Sequence, residues 1–284
     1  SEIGLDGNNF QYLMEGLDSP NGIILTYGPT GSGKTTTLYT CLNKINTVDV
    51  NILTIEDPVE IQMDGLSQSQ VHHDIQYNFA TGMRAALRQD PDIIMVGEIR
   101  DRETVDIAIE ASLTGHLVLS TIHTNSAVET LTRIENMDVP SFLVASTVEL
   151  IIAQRLVRKL CQTCKVPATE AEPPALVEQI SKALTNVELK FPQLDKALLT
   201  PNPKQFFVPK GCATCNNIGY FGRIAIYEVL RMNNTLRKMV LEKASAIEIE
   251  KAAIKSGMIT LEQDGLVKAL KGVTSLEEVY GVAR

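Results

Sequence analysis

The 284 residues are 44% hydrophobic and 21% charged with a net charge of −8, the balance of a water-soluble globular protein with one large domain or two ordinary ones. Apolar runs only a few residues long exclude a membrane-spanning helix, and Ser1-Glu-Ile-Gly4 has neither the basic nor the apolar region of a secretion signal. The acidic balance argues against nucleic-acid binding by bulk electrostatics, although a local basic groove remains compatible with it.

The chain opens with a short helical pattern, Phe10 to Gly16, and its abrupt start reads as a piece of a longer protein. Gly22-Ile-Ile-Leu-Thr-Tyr27 is a short apolar run that predicts a buried strand. Gly28-Pro-Thr-Gly-Ser-Gly-Lys-Thr35 follows at once, and Thr36 to Lys44 predicts a helix. The eight residues form a complete phosphate-binding P-loop. Its glycines let the backbone approach a polyphosphate closely, and successive N–H groups donate to phosphate oxygens. Lys34 supplies a point charge for the β- and γ-phosphates, and the Thr35 hydroxyl is placed to ligate Mg2+. The candidate ATP-binding set is therefore Gly28, Pro29, Thr30, Gly31, Ser32, Gly33, Lys34, Thr35 and Thr36. A glycine-rich turn without function is the competing reading, and the strand–loop–helix context disfavours it.

Downstream, strands are expected at Val50–Ile55, Ser69–His72, Asp92–Val96 and His116–Ile122, and helices at Tyr77–Gln89, Arg102–Leu113 and Ser126–Asn136. This alternation predicts a doubly wound parallel α/β sheet, with ligands at the carboxyl ends of its strands. Glu56, Asp57 and Glu60 follow one such end and can hold Mg2+ water or orient an attacking water; an acidic turn at Asp57-Pro58 is the structural alternative. Glu98 closes the run Asp92-Ile-Ile-Met-Val-Gly-Glu98, where P-loop enzymes carry the acid that contacts Mg2+ or polarises water. Asp92 reads as structural at the strand's entry, and Arg100 and Asp101 as a charge network at the rim. A lone histidine is most often a structural hydrogen-bonding group, but His123 stands at a carboxyl strand end. His116 stands at the other end of that strand, roughly 20 Å away.

Cys161-Gln-Thr-Cys164 and Cys212-Ala-Thr-Cys215 are two knuckles of one tetrahedral four-cysteine zinc site, structural because no position is left for water. Free core thiols or a redox pair are the weaker readings; Cys41 is a core residue. The proline-rich stretch 165–210, with its clearest helix at Ala175–Ala183, reads either as an elaboration carrying partner specificity or as a plain surface excursion. Arg223–Leu230 predicts a strand. Helices follow at Thr235–Glu242, Ala246–Ser256, Thr260–Lys271 and Ser275–Tyr280, with starts at Ser245-Ala-Ile-Glu and Thr260-Leu-Glu-Gln and ends at Gly257 and Gly272.

Several segments together resemble the secretion ATPases of type IV pilus assembly and type II secretion: the P-loop, Ile55-Glu-Asp-Pro-Val-Glu60, the run Arg88 to Asp101, the run Thr114 to Asn125, Ala153-Gln-Arg-Leu-Val-Arg158, the cysteine pairs, and Gly219 to Val229. The resemblance covers nearly the whole chain. It implies a RecA-like P-loop ATPase core (1–155), a tetracysteine zinc element with an insertion (156–230) and a C-terminal helical subdomain (231–284), with upstream domains outside this chain. It implies an ATP- and Mg2+-dependent hexameric motor, cytoplasmic and peripheral at the inner face of the cytoplasmic membrane. That motor acts on an inner-membrane platform protein, with no direct nucleic acid. By the same resemblance Glu60 helps activate water, Glu98 lies near Mg2+, and His116 and His123 are both functional; the strand-end argument supports only His123. The upstream domain is expected to supply arginines to the nucleotide, so this chain by itself should hydrolyse ATP slowly. Two other classes stay open: a RecA-like nucleic-acid motor with a zinc knuckle, weakened by the absence of Trp and the 5% aromatic content, and a regulatory module that binds nucleotide without turnover.

Overall fold

A computed structural model of the chain describes residues 3–124, 126–168, 174–195 and 206–283. Helix α1 (Gly7–Leu17) leads into β1 (Gly22–Tyr27), the P-loop and α2 (Lys34–Ile45). Then come β2 (Ile52–Glu56), β3 (Leu66–Gln70), α3 (Phe79–Ala86), β4 (Ile93–Val96), α4 (Arg102–Leu113), β5 (Leu117–Ile122), α5 (Ala127–Glu135) and α6 (Ser141–Thr147). The long strand β6 (Val148–Leu160) precedes β7 (Val166–Pro167), α7 (Pro174–Ala183) and β8 (Phe207–Val208). A second long strand, β9 (Tyr220–Arg231), is followed by α8 (Asn234–Leu241), α9 (Ala246–Lys255), α10 (Leu261–Leu270) and α11 (Leu276–Val282).

Seven strands form one sheet in the order β3-β2-β4-β5-β1-β6-β9. All neighbours are parallel except β6 and β9. Every residue of β1 is buried, as an apolar strand with both faces covered requires. Its alternation splits the core in two. Ile23, Leu25 and Tyr27 join the face covered by α3 to α6 with α8 and α9, while Ile24 joins the face covered by α1 and α2. This is the doubly wound α/β sheet that the alternation predicts, with one antiparallel edge strand, and it puts the loop after β1 at the carboxyl edge.

Local chemistry fixes the helix ends. Asp101 accepts from Thr104 N at 2.8 Å, and Ser126 accepts from Glu129 N at 3.0 Å. The two expected starts at Ser245 and Thr260 are full capping boxes with Glu248 and Gln263. The helix expected over 77–89 is shorter: Asn78 caps it with Thr81, so it begins at Phe79, and its last three residues tighten into a 3₁₀ turn. The strand expected at 69–72 lies at Leu66–Gln70 instead.

Segment 148–160 was legible only through the resemblance at Ala153–Arg158. Its first half is buried on both faces, so it lacks the alternation that marks a strand. The expected division at 155/156 falls inside β6, and 230/231 falls at the end of β9; both strands belong to the main sheet. A third core joins Ile180, Leu184, Val187 and Phe191 of the proline-rich stretch to Leu266, Leu270 and Val279 of α10 and α11. The described part of that stretch is therefore packed, not a loose excursion.

Candidate active site and cysteine cluster

The loop after β1 needs glycine at two places. A Cβ on Gly28 would lie 2.5 Å from Ser32 Oγ and 2.6 Å from the Gln154 carbonyl oxygen. Gly33, which precedes α2, has φ +87°, and a Cβ there would meet Gln154 Nε2 at 2.8 Å. The first N–H groups of α2 have no partner inside the helix. They open on a cleft of about 490 Å3 that Thr30, Gly31, Gly33, Lys34, Thr35 and Thr36 line on one side. Lys34 Nζ donates to Gly28 O at 2.7 Å and to Pro29 O at 3.1 Å. Burial holds its pKa below the ordinary lysine value, while the charge of Glu98 opposes that shift. Ser32 is buried and its Oγ has no hydrogen-bond partner among the described residues. Helix-start amides, an ammonium and threonine hydroxyls in a backbone cradle are the donor set of a polyphosphate site, so these residues fit ATP.

The opposite wall carries the carboxylates. Glu98, 13% exposed, accepts from Arg100 and stands 3.4 Å from His123 Nε2. Glu60 is exposed at the same cleft, and its N–H donates to the Tyr39 hydroxyl at 3.3 Å. Thr35, Glu60, Glu98 and His123 thus share one cleft, and Thr35 and Glu98 are the pair that suits Mg2+.

Two sequence expectations need correction. Glu56 is 3% exposed and already engaged: it accepts from Tyr39 Oη, from Thr54 Oγ1 at 2.5 Å and from Gln68 Nε2 at 3.1 Å. It anchors the turn, leaving only Asp57 and Glu60 exposed to water. His116 does not reach the cleft: its Nδ1 donates to Ala111 O at 2.9 Å at the far end of β5. Asp92 has the expected structural role, accepting from Asn51 N at 2.7 Å.

Tyr39, Gln154 and Arg223 were not singled out from the sequence. The one available signal was for Gln154, a polar residue inside an apolar strand beside β1.

The four cysteines of the two knuckles come together, with their Sγ atoms all within 4.8 Å of one another. Three of the pairs are 3.7 to 3.8 Å apart. A tetrahedron with Zn–S bonds of about 2.3 Å has edges of about 3.8 Å, whereas a disulfide would need about 2.05 Å. Cys215 Sγ also accepts from Cys212 N and Gly219 N, each at 3.2 Å. The donor set therefore fits a closed, structural zinc site.

A family model described as "Type II/IV secretion system protein" matches residues 1–281. The type IV pilus assembly ATPase PilB of Myxococcus xanthus is 46% identical over 284 residues, 99% of this chain and 47% of that protein. The type II secretion system protein E of Aeromonas hydrophila is 43% identical over 283 residues, 100% of this chain and 53% of that protein. The chain spans about half the length of the curated relatives it matches. Among solved structures, the pilus retraction motor PilT with bound ADP superposes with a TM-score of 0.68 at 28% identity, over 99% of this chain and 65% of that one. The ATPase DotB of Legionella pneumophila gives 0.65 at 25% identity, over 99% and 64%. On the whole-chain match and these identities, the chain belongs to the type II/IV secretion system protein family.

Proposed function

We propose that this chain is the ATP-hydrolysing portion of a motor that powers assembly of type IV pili or of the type II secretion pseudopilus. The observation that carries the reading is the convergence of Lys34, Thr35, Glu60, Glu98 and His123 on one cleft, in a chain whose relatives are named as a type IV pilus assembly ATPase and a type II secretion system protein. Those names favour it over a nucleic-acid motor.

Gly28 to Thr36 bind the polyphosphate through loop and helix-start N–H groups, and Lys34 exchanges its loop carbonyls for phosphate oxygens. Thr35 and Glu98 are the residues that would hold Mg2+, which when bound neutralises charge on the phosphates. Glu60 orients the attacking water, its backbone held by Tyr39. His123, at 3.4 Å from Glu98, responds to the charge of that carboxylate and hence to the state of the γ-phosphate. His116, at the other end of β5, acts outside this cleft, at the contact with a neighbouring subunit. Cys161, Cys164, Cys212 and Cys215 hold one Zn2+ that staples β6 to β9.

In the full-length protein we expect a homo-hexamer at the cytoplasmic face of the inner membrane, engaging a platform protein and no nucleic acid. None of the described helices is long and apolar enough to cross a membrane. The 284-residue chain, about half the length of its curated relatives, should turn over slowly by itself.

The test is Glu98→Gln in the full-length protein. ATP binding should persist while turnover falls by about 100-fold or more, the range for removing one group that stabilises charge in the transition state. Turnover near the wild-type rate would refute the assignment.

A further inference from the structure

Gln154 lies on β6, whose neighbour β1 delivers the P-loop, and it is 2% exposed. An amide buried in an apolar strand must find partners at both ends. Its Nε2 donates to the carbonyl oxygen of Ser32 at 2.7 Å. Its Oε1 accepts from Thr37 Oγ1 at 2.7 Å. Since Thr37 gives its proton to Gln154, the Tyr227 hydroxyl, at 3.2 Å from Thr37 Oγ1, is the donor in the next link. The result is a one-way chain, Tyr227 to Thr37 to Gln154 to the Ser32 carbonyl, through residues that are each no more than 3% exposed.

The last link bears on phosphate binding. In a trans peptide the C=O of one residue and the N–H of the next point in opposite directions. The Ser32–Gly33 bond is trans, because the Asp57–Pro58 bond alone is cis among the described residues. Holding the Ser32 carbonyl against Gln154 therefore turns the Gly33 N–H the other way, out toward the cleft. Gln154 also occupies the space that a side chain on Gly28 or Gly33 would need. At its other end the chain is anchored firmly: Tyr227 N donates to Asp264 on α10 at 2.7 Å, and Tyr227 O accepts from Asn9 on α1 at 2.9 Å.

We propose that Gln154 is a positioning residue for the P-loop, orienting the Gly33 N–H toward the phosphates through its bond to the Ser32 carbonyl, with Thr37 and Tyr227 fixing which way its amide faces. This rests on the ATP reading of the cleft. It acts on nucleotide affinity before chemistry, and it ties the loop to β9, α1 and α10.

The test uses the full-length protein, with the fluorescent analogue mant-ATP and Mg2+ for binding and steady-state ATP hydrolysis for turnover. Gln154→Met fills the space without either hydrogen bond. It should raise the mant-ATP Kd and the KM for ATP by about tenfold, with kcat at saturation changed less than about threefold. Thr37→Val should raise Kd by about threefold or more, whereas Thr37→Ser, which keeps the hydroxyl and loses the methyl, should stay within about twofold of wild type. A role in packing alone predicts the reverse order for the two Thr37 variants, and that order would overturn the proposal. So would a Gln154→Met protein with unchanged Kd and KM. If Gln154→Met does not fold, the Thr37 pair decides. A wild-type protein that binds no mant-ATP would instead remove the ATP reading, and this inference with it.

Discussion

Lys268→Met isolates a charge that the fold cannot easily accommodate. Asp264 and Lys268 are one turn apart on α10, and their side chains are 1% and 4% exposed. Lys268 Nζ donates to Asp264 Oδ2 at 2.5 Å and to Ala225 O at 2.9 Å, and Asp264 Oδ2 also accepts from Tyr227 N. Burial pushes the Asp264 carboxyl up, and the ammonium is the main force opposing that. Methionine keeps the stem and removes the opposition. The carboxyl must then stay charged without a counter-ion or take a proton. Taking a proton at pH 7, against an ordinary aspartate value of 3.8, costs about 4 kcal/mol at 1.36 kcal/mol per unit. That figure is the ceiling, and it agrees with the roughly 3–5 kcal/mol lost when one partner of a buried pair is removed. The sign follows from linkage. The folded pKa in the variant lies above the unfolded one, so the penalty is absent below about pH 3.8 and grows as pH rises. At pH 5 it should shrink to about 1.6 kcal/mol. Urea unfolding of variant and wild type at pH 5 and pH 7, followed by circular dichroism, measures both values. Asp264→Leu with Lys268→Met, which removes both charges, should recover part of the loss. A difference below about 1 kcal/mol at pH 7, or one that does not change with pH, would refute the argument.

Glu228, on β9, meets the Tyr27 hydroxyl at 3.3 Å, and burial together with the charge of Glu250 pushes it up to about 7 from 4.5. Its folded value exceeds its unfolded one, so stability should decline between about pH 4.5 and pH 7. Glu228→Gln should flatten that decline by about 1–2 kcal/mol, less than the full shift implies because the side chain is only partly screened from water; equal pH profiles would count against it. For the cysteine cluster, metal analysis should give about one zinc per chain, and Cys212→Ser should lower both zinc content and melting temperature. A stable protein without zinc would dismiss the site.

The placement of the loop and Glu98 on one cleft and the meeting of the cysteine pairs were readable because each depends on a short local pattern. The helix starts at Ser245 and Thr260 were readable for the same reason: a capping box is four residues long. What escaped reading depends on distant partners. Glu56 looked like Glu60 in sequence, and only the packing of Tyr39 and Gln68 around it separates a structural carboxylate from one facing water. The length of β6 escaped because double-sided burial erases alternation. Gln154 escaped because its partners, Ser32 and Thr37, are 122 and 117 residues away.

The sulfur cluster closes the chain where β6 ends and where the approach to β9 begins, with Cys161 and Cys212 side by side although 51 positions apart. With the proposed zinc closing that neck, the length of the excursion is nearly uncoupled from the sheet, since doubling a loop adds only about 0.6 kcal/mol of closure entropy. Provided that α7 and Phe191 keep their seat on α10 and α11, residues can be added or removed there while β6 still brings Gln154 to the P-loop. The molecule's outline can thus be redrawn at that neck without altering the register that builds its active site.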